Sequence, residues 1–414
     1  MKQSTICQEW LNSLPPAQGC LKKEQSIGRE LIIEKGLPTN KDEAWRLCNL
    51  NRLNSFLSLP TTLNSEHITS KLILPEKDEK SERIIIQTNK KQMLNISLPS
   101  GIEKLTEIEI DYHLGTIVKP THVNNDLSVS INQASSSKLL ALKVKRNFNK
   151  SLEIVIPSIK GKLISTRVFL LLEDGAKLDL LQVFLGNINS AQNHLIEIKL
   201  ESEADLTHGL ISLGEEKGAS SICTLAVAQS ERSKYSLNSL HHGWDYARFE
   251  PRIIQIKGEA STIIKNLQVS KSKEQIATHS LIRFEGPNGK LDQLQKAVAS
   301  GYSHCIFNGS IEVPQIAQKT EAAQLSRNLI LSKRARIDAK PELEIVADDV
   351  RCTHGATVSQ LQDEELFYLL SRGIDNEHAN SLLLKGYYDE VISNFPKSAE
   401  KWNLIEKLIQ EIKQ

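Results

Sequence analysis

The chain has 414 residues, a formal net charge of +1 and an aromatic content of 5%. Without a net positive field or many aromatic stacking platforms, this composition argues against a nucleic-acid-binding protein. The longest clean apolar run, residues 168–172, is far too short to cross a bilayer, and residues 1–10 lack the basic-then-apolar pattern of a signal peptide. We therefore expect neither a nucleic-acid partner nor a membrane segment.

Six cysteines are scattered along the chain with no C-x-x-C spacing: Cys7, Cys20, Cys48, Cys223, Cys305 and Cys352. This distribution fits neither a disulfide framework, nor a zinc site, nor the clustered thiolates of a permanent iron–sulfur site. A reducing, cytoplasmic location is the simplest explanation.

Residues 1–58 are predicted to form an N-terminal helical segment. The proline pair at 15–16 ends a first helix and Gly36 ends a second, because proline interrupts a helix and glycine often terminates one. A further helix is predicted over residues 42–47, where two carboxylates in the first turn suit the helix dipole. Trp45 is expected to be a core anchor.

Residues 59–82 are mixed and charged, and we predict a linker or an irregular connecting segment there. From residue 83 to residue 360 the pattern changes to short runs rich in β-branched residues and bounded by Ser, Asn, Gly or Pro, which are typical of strands. The first of these runs lie at residues 83–87, 127–131, 140–144 and 152–156.

A loose repeat follows, in which a polar or glycine corner is followed by a small residue and then by a strand. Ala176, Ala204, Ala219 and Ala260 are the small residues. A stacked coil needs such tight corners, with strands that bury alternate residues against their neighbours. Because no helical pattern separates the strands, a doubly wound α/β sheet is disfavoured. The irregular period by itself indicates an all-β solenoid or sandwich.

Residues 361–414 are predicted to be a C-terminal helical domain. One helix ends at Gly373, Asp375 caps a longer helix that extends to about residue 394, and a last amphipathic helix begins at Ser398. Apolar faces of this kind either pack on each other or bind in a partner's groove.

Cys352 and His354 are the one thiol and imidazole that stand two residues apart. On a strand such residues project from the same face, so both can reach one metal ion or one substrate, unless Asp348 and Asp349 interrupt the strand. A packing role fits as well, because free cysteine is often a small buried hydrophobe and two ligands are too few for a closed zinc site. The spacing alone leaves both interpretations open.

Two nucleotide-binding motifs are absent, and two other histidine-containing pairs are poor candidate sites. No G-x-x-x-x-G-K-[ST] motif occurs, so the chain should not hydrolyse ATP, and no G-x-G-x-x-G motif supports a dinucleotide fold. His241 and His242 are predicted to lie in a loop with a structural role, because adjacent residues make poor joint ligands. His304 and Cys305 are also adjacent, so on a strand their side chains would point to opposite faces.

The runs at 319–324, 339–345 and 352–357, with a second match at 36–39 and 43–46, closely resemble the SufB/SufD family of iron–sulfur cluster assembly scaffolds. The resemblance implies a mainly β fold with a right-handed parallel β-helix core over residues 83–360, flanked by N-terminal and C-terminal α-helical segments. The corner repeat fits such a core.

Within this family the chain is similar to the D-type (SufD) subunit. Ser326 stands where the B-type subunit has a cysteine, and Gly355 stands where the B-type has the glutamate of a His-Glu-Ala-Thr run. One departure is Arg351, where the family often has lysine. The resemblance implies a non-ATPase scaffold that pairs with a SufB-type subunit and, through residues 361–414, with a SufC-type ATPase.

The same resemblance implies that His354 faces the SufB-type cysteine and helps to hold a transient, nascent iron–sulfur cluster at the subunit interface. Cys352 would be a supporting ligand or a structural neighbour of that ligand. Whether a flavin binds is left open, because the middle of the chain diverges from the family.

Two other classes of function remain open. A polysaccharide-active β-helix enzyme would need an acidic cluster along one β face, for which Asp348 and Asp349 are the one obvious candidate, although they also resemble a strand corner. A purely structural adaptor would leave Cys352 and His354 without a chemical role.

Overall fold

The computed structural model describes residues 2–61, 74–86, 98–118, 126–215, 217–361 and 363–412. Three α-helices begin the chain: α1 (Lys2–Ser13), α2 (Lys22–Lys35) and α3 (Leu50–Ser58). Gly36 ends α2 with a left-handed φ of 69°, as predicted. Of the predicted connecting segment at residues 59–82, residues 62–73 lie outside the described part of the chain.

The helix predicted over residues 42–47 is wrong, since this stretch holds a single 3-10 turn, Glu43–Trp45. The carboxylate of Asp42 accepts hydrogen bonds from the backbone N–H and the hydroxyl of Thr39, so it does not cap the turn that follows. Trp45 is confirmed as a core anchor, with 4% of its surface exposed.

The strand predicted at residues 127–131 is also wrong, because these residues begin helix α5 (Leu127–Ser135). Asp126 caps this helix by accepting the N–H of Ser128, and the helix is buried on all sides between α2 and a sheet. At Gly28 of α2 an added Cβ would lie 2.5 Å from the backbone nitrogen of Ala134, so this close approach requires glycine. Because the helix is buried on all sides, its sequence lacks the amphipathic pattern by which a helix is usually recognised.

Two nine-stranded sheets form the body of the molecule, and from Lys138 onwards successive strands alternate between them, so that one turn of the chain contributes one strand to each sheet. The first sheet contains, in order, β1 (Ser81–Ile85), β4 (Ser151–Pro157), β6 (Lys177–Leu185), β8 (Asp205–Leu213), β10 (Lys234–His242), β12 (Ser261–Ser270), β14 (Lys290–Ala299), β16 (Glu321–Ile330) and β18 (Arg351–Ser359). The second contains, in order, β17 (Arg336–Ile345), β15 (His304–Val313), β13 (Gln275–Phe284), β11 (Tyr246–Gln255), β9 (Ser220–Gln229), β7 (Ala191–Leu200), β5 (Leu163–Leu172), β3 (Lys138–Val144) and β2 (Ile102–Lys104).

Neighbouring strands are parallel and in register, apart from the antiparallel pair of β2 and β3. The predicted mainly β solenoid, a parallel β-helix core with helical segments at both ends, is confirmed. Inward-facing side chains of the two sheets form one continuous apolar core. The predicted corner repeat is also confirmed, since Ala176, Ala204, Ala219 and Ala260 are all fully buried after their corners.

The helical segments cover the two outer faces of the solenoid. The N-terminal helices and α5 pack on the second sheet, together with the short helix α4 (Glu107–His113) that precedes α5. Helices α7 (Asn376–Ile392) and α8 (Leu404–Ile412) pack on the first sheet. Helix α6 (Asp363–Ser371) precedes α7 and ends before Gly373, which has the left-handed φ of 81° expected after a helix.

The last helix does not begin at Ser398 as predicted. A 3-10 turn, Lys397–Trp402, stands there, and the left-handed conformation of Asn403 separates it from α8. The indole N–H of Trp402 donates a 2.9 Å hydrogen bond to the buried carboxylate of Glu153 on β4, which holds this turn against the sheet. No helix in the described ranges is long and apolar enough to span a membrane.

Candidate functional site at the last turn of the solenoid

The predicted pair lies on β18, the final strand of the first sheet. Cys352 and His354 are in register with Ala322 and Gln324 of β16, so the thiol and the imidazole project from the same face. That face points towards the interior of the solenoid. Asp348 and Asp349 precede the strand and do not interrupt it, because β18 begins at Arg351.

The two candidate ligands have different surroundings. Cys352 is half-buried and packs against the apolar core beside Leu343 and Val350. Burial raises the pKa of the Cys352 thiol above its usual value, although a hydrogen bond with the backbone of Ala322 opposes the shift. His354, two residues further, is exposed, because none of the described strands forms a further turn over this end of the solenoid. The thiol is therefore the protected group and the imidazole is the accessible one.

Below His354 the interior of the solenoid is polar, a feature that we did not infer from the sequence. The amide nitrogen of Gln324 donates to the amide oxygen of Gln293 on β14, at 2.9 Å, and the amide nitrogen of Gln293 donates to the hydroxyl of Ser280 on β13, also at 2.9 Å. Both glutamines have 2% of their surface exposed. Alternating Gln and Ser residues in otherwise apolar strands were the sequence signal for this chain of amides.

Ser326 lies beside this chain, two residues after Gln324 on the same face of β16 and opposite Ala356 of β18. It is fully buried, and its hydroxyl accepts a 2.9 Å hydrogen bond from the amide of Asn328. Ser326, which the resemblance aligns with a B-type cysteine, thus offers a buried hydroxyl that is already hydrogen-bonded.

The other histidines that the sequence singled out, His241, His242 and His304, have structural partners. The loop predicted for His241 and His242 is wrong, because both lie on strand β10 and are almost fully buried. Their rings do point to opposite faces: His241 packs on Phe249 inside the solenoid, and His242 binds Glu411 of α8 outside it. The alternating pattern of a strand was obscured by the unusual pair of adjacent polar rings.

His304 and Cys305 have the opposed orientation that we expected. Cys305 is fully buried in the interior, where burial raises the pKa of its thiol to about 12, and His304 faces outward and binds Asp338 at 2.6 Å. Asp348 and Asp349 lie in the turn before β18, where Asp348 accepts a hydrogen bond from Gln315. Within the described ranges, no three His, Cys, Asp or Glu side chains group closely enough to hold a metal ion.

The last turn also exposes strand edges. β17 and β18 each end their sheet, so one edge of each strand has no neighbour among the described strands. Near this end, large apolar side chains reach solvent: Ile345 with 41%, Val346 with 57% and Val358 with 48% of their surface exposed. Unpaired edges beside exposed apolar residues are typical of a surface that pairs with another chain.

A second exposed apolar surface lies on the C-terminal helices. Phe367 and Tyr368 of α6 have 71% and 57% of their surface exposed, and Leu382 of α7 has 49% exposed. The buried side of α7, with Leu384, instead packs on the solenoid. We call Phe367, Tyr368, Leu370 and Leu382 the α6 surface.

Comparison with known proteins identifies the family. Residues 155–387, more than half of the chain, match the model described as "SUF system FeS cluster assembly, SufBD core domain". The chain belongs to the SufBD family of the SUF iron–sulfur cluster assembly system. The matched SufBD segment includes the solenoid from β4 to β18 and extends into α7, so it contains both Cys352 and His354.

Whole-length relatives agree with the SufBD assignment. The chain is 28% identical to an iron–sulfur cluster assembly SufBD family protein of Synechocystis, over 89% of this chain and 86% of the relative. It is 26% identical to the chloroplastic protein ABCI7 of Arabidopsis thaliana, over 93% of this chain and 85% of the relative, and 24% identical to the iron–sulfur cluster assembly protein SufD of Escherichia coli, over 99% and 97%. The predicted SUF function is thereby confirmed at the level of the family.

Proposed function

We propose that this chain is a SufD-type, non-ATPase scaffold subunit that builds and holds a nascent iron–sulfur cluster together with a SufB-type subunit and a SufC-type ATPase. The observation that carries the proposal is the position of His354, which is exposed at the uncovered end of the solenoid, beside two free strand edges. Ser326 and Gly355 support the D-type assignment, and the lack of a phosphate-binding loop supports a subunit that does not hydrolyse ATP.

The chemistry of the site suits a cluster that the scaffold holds temporarily and then transfers. Imidazole and thiolate both bind ferrous iron, but this chain offers one of each, whereas an iron–sulfur cluster commonly has four protein ligands. A second chain must supply the remaining ligands, and the free edges of β17 and β18 give it a place to dock. A site that is divided between two chains holds its cluster loosely enough to transfer it onward.

The α6 surface is the proposed contact for the SufC-type ATPase, because it is the apolar part of residues 361–414 that the solenoid leaves uncovered. Deleting residues 361–414 is a poor test of this contact, since α7 and α8 cover apolar side chains of the first sheet. Substitutions on the α6 surface avoid that damage.

We place the complex in a reducing compartment. All six cysteines are free thiols, from the exposed Cys20 to the buried Cys305. The name of the Arabidopsis relative records a chloroplast, so both cytoplasm and plastid stroma agree with the proposal.

The deciding experiment is the His354→Ala substitution in the chain co-expressed with SufB-type and SufC-type partners. The exposed ring packs little, so the complex should assemble with unchanged stoichiometry. Iron and sulfide content after anaerobic reconstitution should fall several-fold, because one ligand to the first iron is lost. Cys352→Ser should have a milder effect, since this thiol is half-buried and its raised pKa disfavours the thiolate that binds iron.

An exposed histidine away from the last turn gives the control, and His378 of α7 is suitable because its ring is hydrogen-bonded to Asp375, three residues earlier in the chain. His378→Ala should leave cluster content unchanged. Full cluster content in the His354→Ala complex would refute the proposal, and so would loss of assembly with unchanged cluster content in each complex that forms.

A further inference from the structure

The chain of buried amides ends in an acceptor that has no partner. Gln324 is 2% exposed, its amide nitrogen is committed to Gln293, and its amide oxygen has no hydrogen-bond partner among the described residues. A buried polar atom without a partner destabilises the folded state, so it needs an explanation.

The structure gives this amide one orientation. Its nitrogen donates to Gln293, and Gln293 in turn donates to Ser280. From the other sheet, the backbone of Gly309 presses on Gln324: a Cβ added at Gly309 would lie 2.6 Å from the Gln324 amide nitrogen. The amide nitrogen therefore points into the body of the solenoid.

His354 is the next residue along this face of the sheet. It pairs in register with Gln324, and side chains of paired residues on neighbouring strands stand about 5 Å apart at their bases. Since β18 is the last of the described strands in the first sheet, the imidazole is, among the described residues, the one side chain stacked above the Gln324 amide in that sheet.

In this structure the exposed His354 ring makes no hydrogen bond with that oxygen. We propose that Gln324 is a positioning residue for His354: when the ring turns inward, the free amide oxygen accepts one ring N–H and so leaves the other ring nitrogen unprotonated for iron. This inference rests on the proposed function, and it adds the residue that selects the tautomer of the ligand. Histidines that bind metal usually donate their second N–H to a fixed acceptor, which orients the ring and raises its affinity.

The direct test observes the ring nitrogens of His354 in the full chain labelled with ¹⁵N-histidine. Two-bond ¹⁵N–¹H spectra distinguish the two neutral tautomers, and the His354→Ala spectrum assigns the signal among the 11 histidines. The wild-type protein should show a single tautomer. Gln324→Met, which fills a similar volume without an acceptor, should show both. The complex with the SufB-type partner should then bind Fe²⁺ about tenfold more weakly under anaerobic conditions.

Two further variants separate positioning from packing. Gln324→Glu keeps an acceptor, and the Gln293 amide can rotate to suit it because the Ser280 hydroxyl either donates or accepts, so one tautomer and Fe²⁺ binding should be retained. Gln268→Met removes another fully buried amide that also has an unpartnered oxygen, but on β12, two strands away from β16. The Gln268→Met substitution should change neither the tautomer of His354 nor the binding of Fe²⁺.

The outcomes distinguish this inference from the proposed function. A mixture of tautomers in the wild-type protein, or one unchanged tautomer in Gln324→Met, overturns the role of Gln324 while leaving the His354→Ala result intact. Unchanged Fe²⁺ binding in the His354→Ala complex refutes the proposed function, and the tautomer spectra still decide whether the Gln324 contact exists.

Discussion

At the scale of single residues, buried charge fixes how the N-terminal helices sit on the solenoid. Arg167 on β5 is fully buried and binds two carboxylates, Glu197 on β7 at 2.6 Å and Glu24 on α2 at 2.9 Å. Glu197 also accepts the backbone N–H of Gly115. One guanidinium thus joins the solenoid to a helix that is 143 residues away in the sequence.

Arg167→Met should destabilise the protein by about 3–5 kcal/mol, because it leaves two buried carboxylates without their cation. Chemical denaturation followed by circular dichroism measures this change. Arg232, which pairs with glutamates at the exposed corners, provides the control: Arg232→Met should cost far less, because water screens exposed ion pairs. Equal effects of the two substitutions would contradict the assigned role of the buried cation.

At the scale of elements, helix α8 is held to the sheet by a charged contact in addition to its apolar face. The Nδ1–H of His242 donates to the carbonyl oxygen of Val269 at 2.8 Å, and its Nε2 lies 2.5 Å from the carboxylate of Glu411. Both ring nitrogens face acceptors, an arrangement that favours the imidazolium form. Lys271 also lies 3.3 Å from Glu411.

This contact predicts that the docking of α8 depends on pH. Burial alone favours the neutral ring, but Glu411, with smaller contributions from Glu274 and the Val269 carbonyl, outweighs it and raises the pKa of His242 above its usual value. The contact should therefore stabilise α8 fully below a pH of about 6.5 and be lost as the pH rises through the folded-state pKa.

Hydrogen exchange of the α8 amides, corrected for intrinsic rates, measures this dependence. The free energy of opening should fall by about 1 kcal/mol over that interval, because water screens the partly exposed Glu411 carboxylate. Below neutral pH, the His242→Gln protein should already show the lower protection. A pH-independent protection of α8 in the wild-type protein would contradict the assignment.

The α6 surface gives a second prediction at this scale. Phe367→Asp should abolish co-purification with the SufC-type ATPase, because it places a charge in an apolar contact. Binding of the SufB-type subunit should be unchanged. Ile108 of α4, with 82% of its surface exposed, supplies the matched control, and Ile108→Asp should affect neither partner. Retained ATPase binding in the Phe367→Asp protein would place that contact elsewhere.

At the scale of the whole molecule, the free edge of β18 has backbone hydrogen-bonding groups without a neighbouring described strand. The N–H of Arg351 bonds to Thr320, so by alternation the N–H groups of residues 352, 354, 356 and 358 point away from β16. An exposed edge of this kind is a template for pairing with a further strand.

Ala356→Pro should reduce co-purification with the SufB-type subunit and leave ATPase binding through the α6 surface intact. Proline removes an edge donor without removing a hydrogen bond to β16, so the thermal stability of the isolated chain should change little. Thr357→Ala, on the other face of the same strand, is the control. Undiminished pairing in the Ala356→Pro protein would show that the subunits do not meet along this edge.

Local patterns identified much of the fold. Small residues after polar corners, such as Ala204 and Ala260, predicted a stacked coil because a tight corner admits no large side chain. The same patterns failed at residues 127–131 and at His241, where burial on several sides or an unusual neighbour removed the expected alternation. Secondary-structure propensity reflects a residue and the residues next to it in the sequence. The structure at these positions is instead decided by contacts with residues that are distant in the sequence.

The residue pattern by itself determined a body of short stacked strands, its helical flanks and the shared face of Cys352 and His354, because these follow from short-range periodicity and the geometry of a strand. The choice of a solenoid over a sandwich came from the family resemblance. Tertiary structure alone decided that β18 is the last, uncovered strand, that Gln324 lies under His354 and that Arg167 meets Glu24. These contacts join residues that are 30 to 143 positions apart in the chain. Only the stacking of complete turns, driven by burial of the apolar interior, brings them together.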